Sequence, residues 1–130
     1  MKRFLKSQSA LAIFAVNTQL GKLEQAYVEK QLGCPVKKVH GSYCGIQETS
    51  YVVLWGGSEH NDNIHRLCRK HNQQSILIIN RPKNGKRTAN LFYLATSELT
   101  PIGVLKKVTV NQAMLHDGWT KDNGDYYVVE

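Results

Sequence analysis

The sequence predicts an α+β fold: a ferredoxin-like sandwich, with a mostly antiparallel sheet, two helices on one face, and extra strands added at the C-terminal end. Three observations lead there. Strand-length apolar runs and amphipathic stretches follow one another in the order β-α-β-β-α-β. The run Ser75-Ile76-Leu77-Ile78-Ile79 shows no polar alternation, as expected of a strand buried in the middle of a sheet. Two turn signals, Asn84-Gly85 and Asp122-Asn123-Gly124-Asp125, each stand between β-forming segments and predict hairpins.

Residues 11–16 read as the first strand, apolar throughout, with Asn17 and Thr18 as N-cap candidates behind it. A helix over residues 22–32 places Leu23, Ala26, Tyr27 and Gln31 on one face, and Gly33 with Pro35 shortly after ends it. Segments 36–43 and 49–54 are rich in β-formers and predict the two arms of a hairpin. Gly56-Gly57-Ser58 breaks the sheet, and Ser58 or Asn61 caps a second helix on which Ile64, Leu67, Cys68 and His71 recur at helical spacing. After the central strand, Asn84-Gly85 turns the chain toward a strand at 91–94. Residues 102–110 alternate well enough to be another strand, and a last hairpin pairs Trp119-Thr120 with residues 126–129. No repeat, low-complexity tract or linker interrupts the chain. Residues 1–130 are read as one domain, a length that buries one core and not two.

Composition narrows the class. An apolar content of 42% argues against disorder, and no apolar run approaches the roughly 20 residues that span a bilayer. A soluble, cytoplasmic protein with no membrane partner is expected. The start Met1-Lys2-Arg3-Phe4-Leu5-Lys6 has the charge of a signal peptide, but Gln8, Ser9 and Asn17 break up the apolar region that would follow, so it is expected to be a basic lead into the first strand. Cys34, Cys44 and Cys68 are odd in number and match neither a disulfide framework nor a metal motif. The net charge of +7 suggests an anionic partner, yet a solvated basic surface with none is the commoner explanation at this modest excess. Acidic residues crowd the C-terminal end as Asp117, Asp122, Asp125 and Glu130, an asymmetry that suits the orienting of subunits against one another.

The chemistry concentrates in Gly41-Ser42-Tyr43-Cys44-Gly45-Ile46-Gln47-Glu48, a polar segment between two apolar arms, and in Gln74 at the entry to the central strand. A phenol, a carboxylate and an amide suit a small cationic ligand, with Gly41 and Gly45 letting the backbone bend close to it. A solvated hairpin loop explains the segment equally well, and a helix-capping role explains Gln74. His65, Cys68 and His71 spread around a helix, so no metal site is expected. Cys44 near His40 lacks an orienting third group and reads as a small buried thiol. The tip Arg81-Pro82-Lys83-Asn84-Gly85-Lys86-Arg87, with Phe92 and Tyr93 nearby, has the composition of a phosphate grip. No nucleic-acid-binding motif accompanies it, and nucleic acid is not an expected partner.

Taken in order, a Gly-x-Tyr strand end (Gly41, Tyr43), a glutamate before a β-run (Glu48), a Gln-x-x-hydrophobic strand start (Gln74) and a closing Thr-x-Asp-x-Gly hairpin (Thr120, Asp122, Gly124) resemble the small bacteriophage S-adenosylmethionine lyases, long described as hydrolases. The stretch between Tyr43 and Glu48 is shorter than in the best-known members. The resemblance implies cleavage of S-adenosylmethionine to 5′-methylthioadenosine and homoserine lactone in an infected host cell, without metal or cofactor. Tyr43 and Glu48 would be catalytic and Gln74 would bind substrate. It also implies a homotrimer with active sites between subunits, and depletion of the host's methyl donor as an anti-restriction device. A hydrolase releasing homoserine, and a non-catalytic phage protein that binds a host factor, are the alternatives.

Overall fold

Parity along a single strand divides the molecule into two cores. The computed structural model describes every residue except Gln19, and Tyr43 by its backbone alone. In chain order its elements are α1 (Lys2–Lys6), β1 (Ala10–Ala15), β2 (Asn17–Thr18), β3 (Gly21–Lys22), α2 (Gln25–Leu32), β4 (Lys37–Tyr43), β5 (Ile46–Trp55), α3 (Ser58–Lys70), β6 (Ser75–Ile79), β7 (Arg87–Tyr93), β8 (Leu99–Val108), α4 (Val110–Ala113), β9 (Gly118–Asp122) and β10 (Asp125–Val129). Leu11 and Ile13 of β1 join one apolar cluster, Ala12 and Phe14 another, and all four are buried. A strand covered on both faces needs no polar alternation, which accounts for its sequence.

The first cluster fills a closed antiparallel barrel of eight strands in the order β1-β5-β4-β9-β10-β8-β7-β6, with β6 returning to β1. Leu11, Ile13, Val39, Val52, Ile79, Ala89 and Tyr127 pack inside it. The second cluster lies outside, where α2 and α3 set Val28, Leu32, Ile64, Leu67 and Cys68 against Phe14, Tyr51, Val53, Ile76 and Ile78. Burying aliphatic side chains of this size stabilises by roughly 1.5–3 kcal/mol each.

The closed barrel overturns the expected ferredoxin-like sandwich. The βα units supply only β1, β4, β5 and β6. The strands expected as C-terminal additions curl the sheet round until β9 pairs with β4, so the face opposite the helices becomes a sealed interior. The bend has a location. Pairing of β7 with β8 shifts register between Ala89 and Asn90, which leaves Ile102 as an extra residue between the partners Pro101 and Gly103. Gly103 has φ of +142°, and a Cβ there would stand 2.8 Å from the backbone of Glu130. An extra residue beside a glycine is how an antiparallel pair acquires curvature.

Smaller expectations also change. Asn17 and Thr18 belong to the β2–β3 hairpin and cap nothing, while α2 starts from Glu24 without a side-chain cap. Its buried positions are Val28 and Leu32 with Tyr27 partly covered, whereas Ala26 and Gln31 face outward. The αL glycine that ends it is Gly33, at φ +67°, as expected. On α3, Ile64, Leu67 and Cys68 are buried as the spacing predicts.

The basic N-terminal segment is not a lead into β1. Its helix α1 stoppers one end of the barrel: Met1 is 2% exposed and Phe4 and Leu5 pack on the interior cluster. The Met1 ammonium donates to Asp122 at 2.5 Å, with Lys37 at 3.6 Å from the same carboxylate. Arg87, also buried, donates to the carbonyls of Ser9 at 2.7 Å, Leu5 at 2.8 Å and Asn80 at 3.2 Å. Burial lowers the guanidinium's pKa, and carbonyls rather than a carboxylate compensate it.

Candidate active site

At the opposite end of the barrel, β4 and β5 form a hairpin ribbon that runs past the end of β1 and is flanked on its other side by β9, and the polar segment is mostly ladder rather than loop. Tyr43 pairs with Ile46, which leaves Cys44-Gly45 as a two-residue turn with φ of +50° and +81°. Positive φ at both central residues matches the right-handed twist of a hairpin. The tip is anchored to β9: Tyr43 pairs with Gly118, and the Cys44 N–H donates to the Asp117 carbonyl at 2.6 Å. Cys44 is exposed in this turn, contrary to the buried thiol expected.

Glu48 pairs with Gly41, Gly41 with Thr120, and Thr120 with Tyr127. Side chains two residues apart on a strand share a face, so Glu48 lies on the same face as Ser50 and the interior residue Val52. The row Glu48–Gly41–Thr120–Tyr127 therefore runs from the mouth of the barrel toward its interior, and Gly41 leaves a gap in it. Glu48 is exposed, yet partial desolvation raises its carboxyl above the usual range. Tyr127 closes the row from below, its phenol pushed up first by burial and then by Asp125 and Asp122. Tyr43 is placed by its backbone at the ribbon tip, and its side chain lies outside the described residues.

Gln74 sits between α3 and β6, exposed, with its carbonyl accepting the Leu94 N–H at 3.1 Å. It lines an open depression of about 740 Å³ with Arg69, Asn72, Tyr93, Thr96 and Glu98. Its neighbour Gln73 is the amide that sequence reasoning missed. Gln73 donates to the Ala15 carbonyl at 2.6 Å and accepts the Ala15 N–H at 3.2 Å, clamping the last residue of β1. The tandem Gln-Gln was the signal, and which amide would turn inward was not legible. Ala15 also pairs with Ser50, two residues from Glu48, so Gln74 and Glu48 occupy the same end of the barrel. Glu48 does not line the depression that holds Gln74.

The three side chains considered for metal are separately engaged. His65 stands edge-on to Phe92, His71 lies 3.4 Å from the Tyr27 hydroxyl, and the buried Cys68 thiol is pushed up to about 12. Among the described residues no helix is long and apolar enough to cross a membrane.

A sequence model of the S-Adenosylmethionine lyase family matches residues 12–130. The chain belongs to this family. The match takes in the ribbon, both covering helices and the closing β9–β10 hairpin. A comparison with curated proteins finds no match. Membership ties the chain to cleavage of S-adenosylmethionine, a cationic small molecule.

Proposed function

We propose that the chain cleaves S-adenosylmethionine by intramolecular displacement. The substrate's own carboxylate attacks its γ-carbon; a C–O bond forms, the C–S bond breaks, and its electron pair leaves on the neutral thioether. The products are 5′-methylthioadenosine and homoserine lactone. The family match over residues 12–130 carries this reading. The reaction needs neither an activated water nor a protein nucleophile. The protein's task is to hold a reactive conformer, which contributes up to roughly 7–11 kcal/mol in well-oriented systems. In an infected host cell such turnover removes the methyl donor, an anti-restriction role.

Glu48 holds the substrate's ammonium or orients Tyr43. Tight pairing with the sulfonium would oppose loss of that charge in the transition state, so the ammonium is the better partner. Tyr43 offers its ring face or hydroxyl, and Gln74 fixes the amino-acid end. Glu48 and Gln74 stand at one end of the barrel without lining one depression, and this supports sites completed by a neighbouring copy in a homotrimer. Exposed apolar residues at that end fit the same reading: Ile46 is 72% exposed, Leu20 64% and Leu99 55%.

Incubation with S-adenosylmethionine in ¹⁸O-water, followed by chromatography and mass spectrometry, tests the chemistry. Displacement yields methylthioadenosine and an unlabelled lactone, and later ring opening puts the label in the carboxyl group. Label in the hydroxyl of homoserine would mean direct hydrolysis instead, and absence of turnover would leave a binding protein.

A further inference from the structure

The stoppered end of the barrel carries a second surface, unrelated to the mouth. Two basic segments far apart in sequence meet there because Arg87 ties them: its guanidinium bonds Leu5 and Ser9 on one side and Asn80 on the other. Lys2, Arg3 and Lys6 on α1 are exposed, as are Arg81, Lys83 and Lys86 in the β6–β7 hairpin. None of these six takes part in an ion pair among the described residues. The hairpin tip is held rigid, with Lys83 and Lys86 exchanging N–H···O bonds of 2.8 and 3.0 Å around Asn84-Gly85.

The acids of the β9–β10 hairpin are already engaged. Asp122 is taken by the Met1 ammonium and Lys37, and Asp125 by Lys107. Residues 2–6 and 81–87 contain no acid, and the chain as a whole carries +7.

We propose that this pole binds the phosphate backbone of duplex nucleic acid without reading its sequence. A row of unpaired Lys and Arg on a rigid, tied surface matches a regular polyanion, whose condensed counterions are released on contact. A lipid surface fits less well. The apolar residues of α1, Phe4 and Leu5, pack on the barrel interior, leaving none of its apolar face to insert among acyl chains. Both basic segments were visible in the sequence, but not that they meet, which rests on the Arg87 bonds to Leu5, Ser9 and Asn80. The inference does not depend on the catalytic reading, because none of the six residues lies at the mouth.

The test is fluorescence anisotropy of the full chain with a labelled 20-base-pair DNA duplex of arbitrary sequence, at 50 and 200 mM salt. With six phosphate contacts, affinity is expected to fall about 10³-fold between the two. The Lys83→Gln/Lys86→Gln double variant is expected to bind at least about tenfold more weakly at 50 mM and to lower the salt slope by about 2, as is a Lys2→Gln/Lys6→Gln variant. Circular dichroism confirms that each variant is folded, and turnover in the same samples reads the other end separately. No binding by the parent at 50 mM salt would overturn the proposal. So would unchanged affinity and slope in both folded variants, or stronger association with phosphatidylglycerol vesicles than with duplex at equal phosphate.

Discussion

Glu48 and Thr120 flank Gly41 on neighbouring strands, and the glycine between them contributes no side chain to the row. A Cβ at Gly41 would lie 3.4 Å from the Trp119 carbonyl oxygen and 3.7 Å from that of Glu48, ordinary contact distances, so a methyl group fits and anything larger projects into the row. Gly41→Val is therefore expected to fill the gap and raise KM for S-adenosylmethionine by about tenfold or more, with overpacking costing about 1–3 kcal/mol. Steady-state kinetics and thermal melting check both. An unchanged KM would remove this row from the site.

Three substitutions separate the roles at the mouth. Glu48→Gln keeps size and removes charge, and is expected to lower kcat/KM about 10²-fold or more while melting temperature and assembly hold. Gln74→Ala is expected to act mainly on KM. Tyr43→Phe is mild if the ring face is used and severe if the hydroxyl is. Normal turnover in Glu48→Gln would defeat its assignment.

The interfacial reading predicts complementation. The protein is expected to sediment as three 14.7 kDa chains, about 44 kDa. Glu48→Gln and Gln74→Ala chains, each impaired alone, are expected to regain activity when unfolded and refolded together, because some mixed sites then hold both wild-type groups. A fully active monomer, or mixtures no better than the average of the two variants, would place both groups in one chain's site.

Desolvation raises the Glu48 carboxyl, so its protonated form persists above the ordinary value of 4.5. Turnover that requires the carboxylate is expected to fall on acidification with a midpoint above 4.5, and Glu48→Gln is expected to abolish that limb of the pH profile.

A second titration lies behind α4. His116 donates from Nδ1 to the Gln112 carbonyl at 3.0 Å and from Nε2 to Glu130 at 2.6 Å, and Lys106 holds Glu130 at 2.9 Å. The carbonyl first, then Glu130, raise His116 above its ordinary 6.5; Lys106 first, then His116, lower Glu130 below 4.5. The His116 contribution is complete below 6.5 and is lost as pH rises through its raised folded value. The Glu130 contribution is complete above 4.5 and is lost as pH falls through its lowered folded value. Proton NMR of the His116 ring is expected to give a midpoint above 6.5 that drops in Glu130→Gln; a midpoint at or below 6.5 in the parent would break the link.

How much the sequence disclosed depended on the range of the interaction. Local signals were reliable: Gly33 ended α2, Asn84-Gly85 made a tight turn, and Ile64, Leu67 and Cys68 faced the core. Barrel closure was not legible, because it rests on β4 meeting β9 some eighty residues later and on the bulge at Ile102, neither of which alters an apolar pattern. At the site, the order of Tyr43, Glu48 and Gln74 pointed to the family, while the ribbon that lifts Glu48 to the mouth was hidden by the polarity of its own strands. Gln73 was missed because an amide clamped on Ala15 and an exposed amide share one letter.

Gly103 makes the bend testable. Its positive φ and the 2.8 Å approach of the Glu130 backbone leave no room for a methyl group. Gly103→Ala is expected to destabilise the fold by more than about 1 kcal/mol, read by denaturant unfolding. A neutral result would move the origin of the curvature elsewhere.

The seam between β4 and β9 also governs how the molecule is made. Residues 37–43 emerge from the ribosome long before residues 118–122, so the early strands wait with one side unpaired and the interior open to water. Contacts so distant in sequence form slowly, and an uncovered edge invites pairing with other chains. A nascent chain halted before β9 is a sheet with a free margin and no sealed core, so translation arrest in that stretch should deliver the chain to chaperones or aggregates rather than to a partly working enzyme.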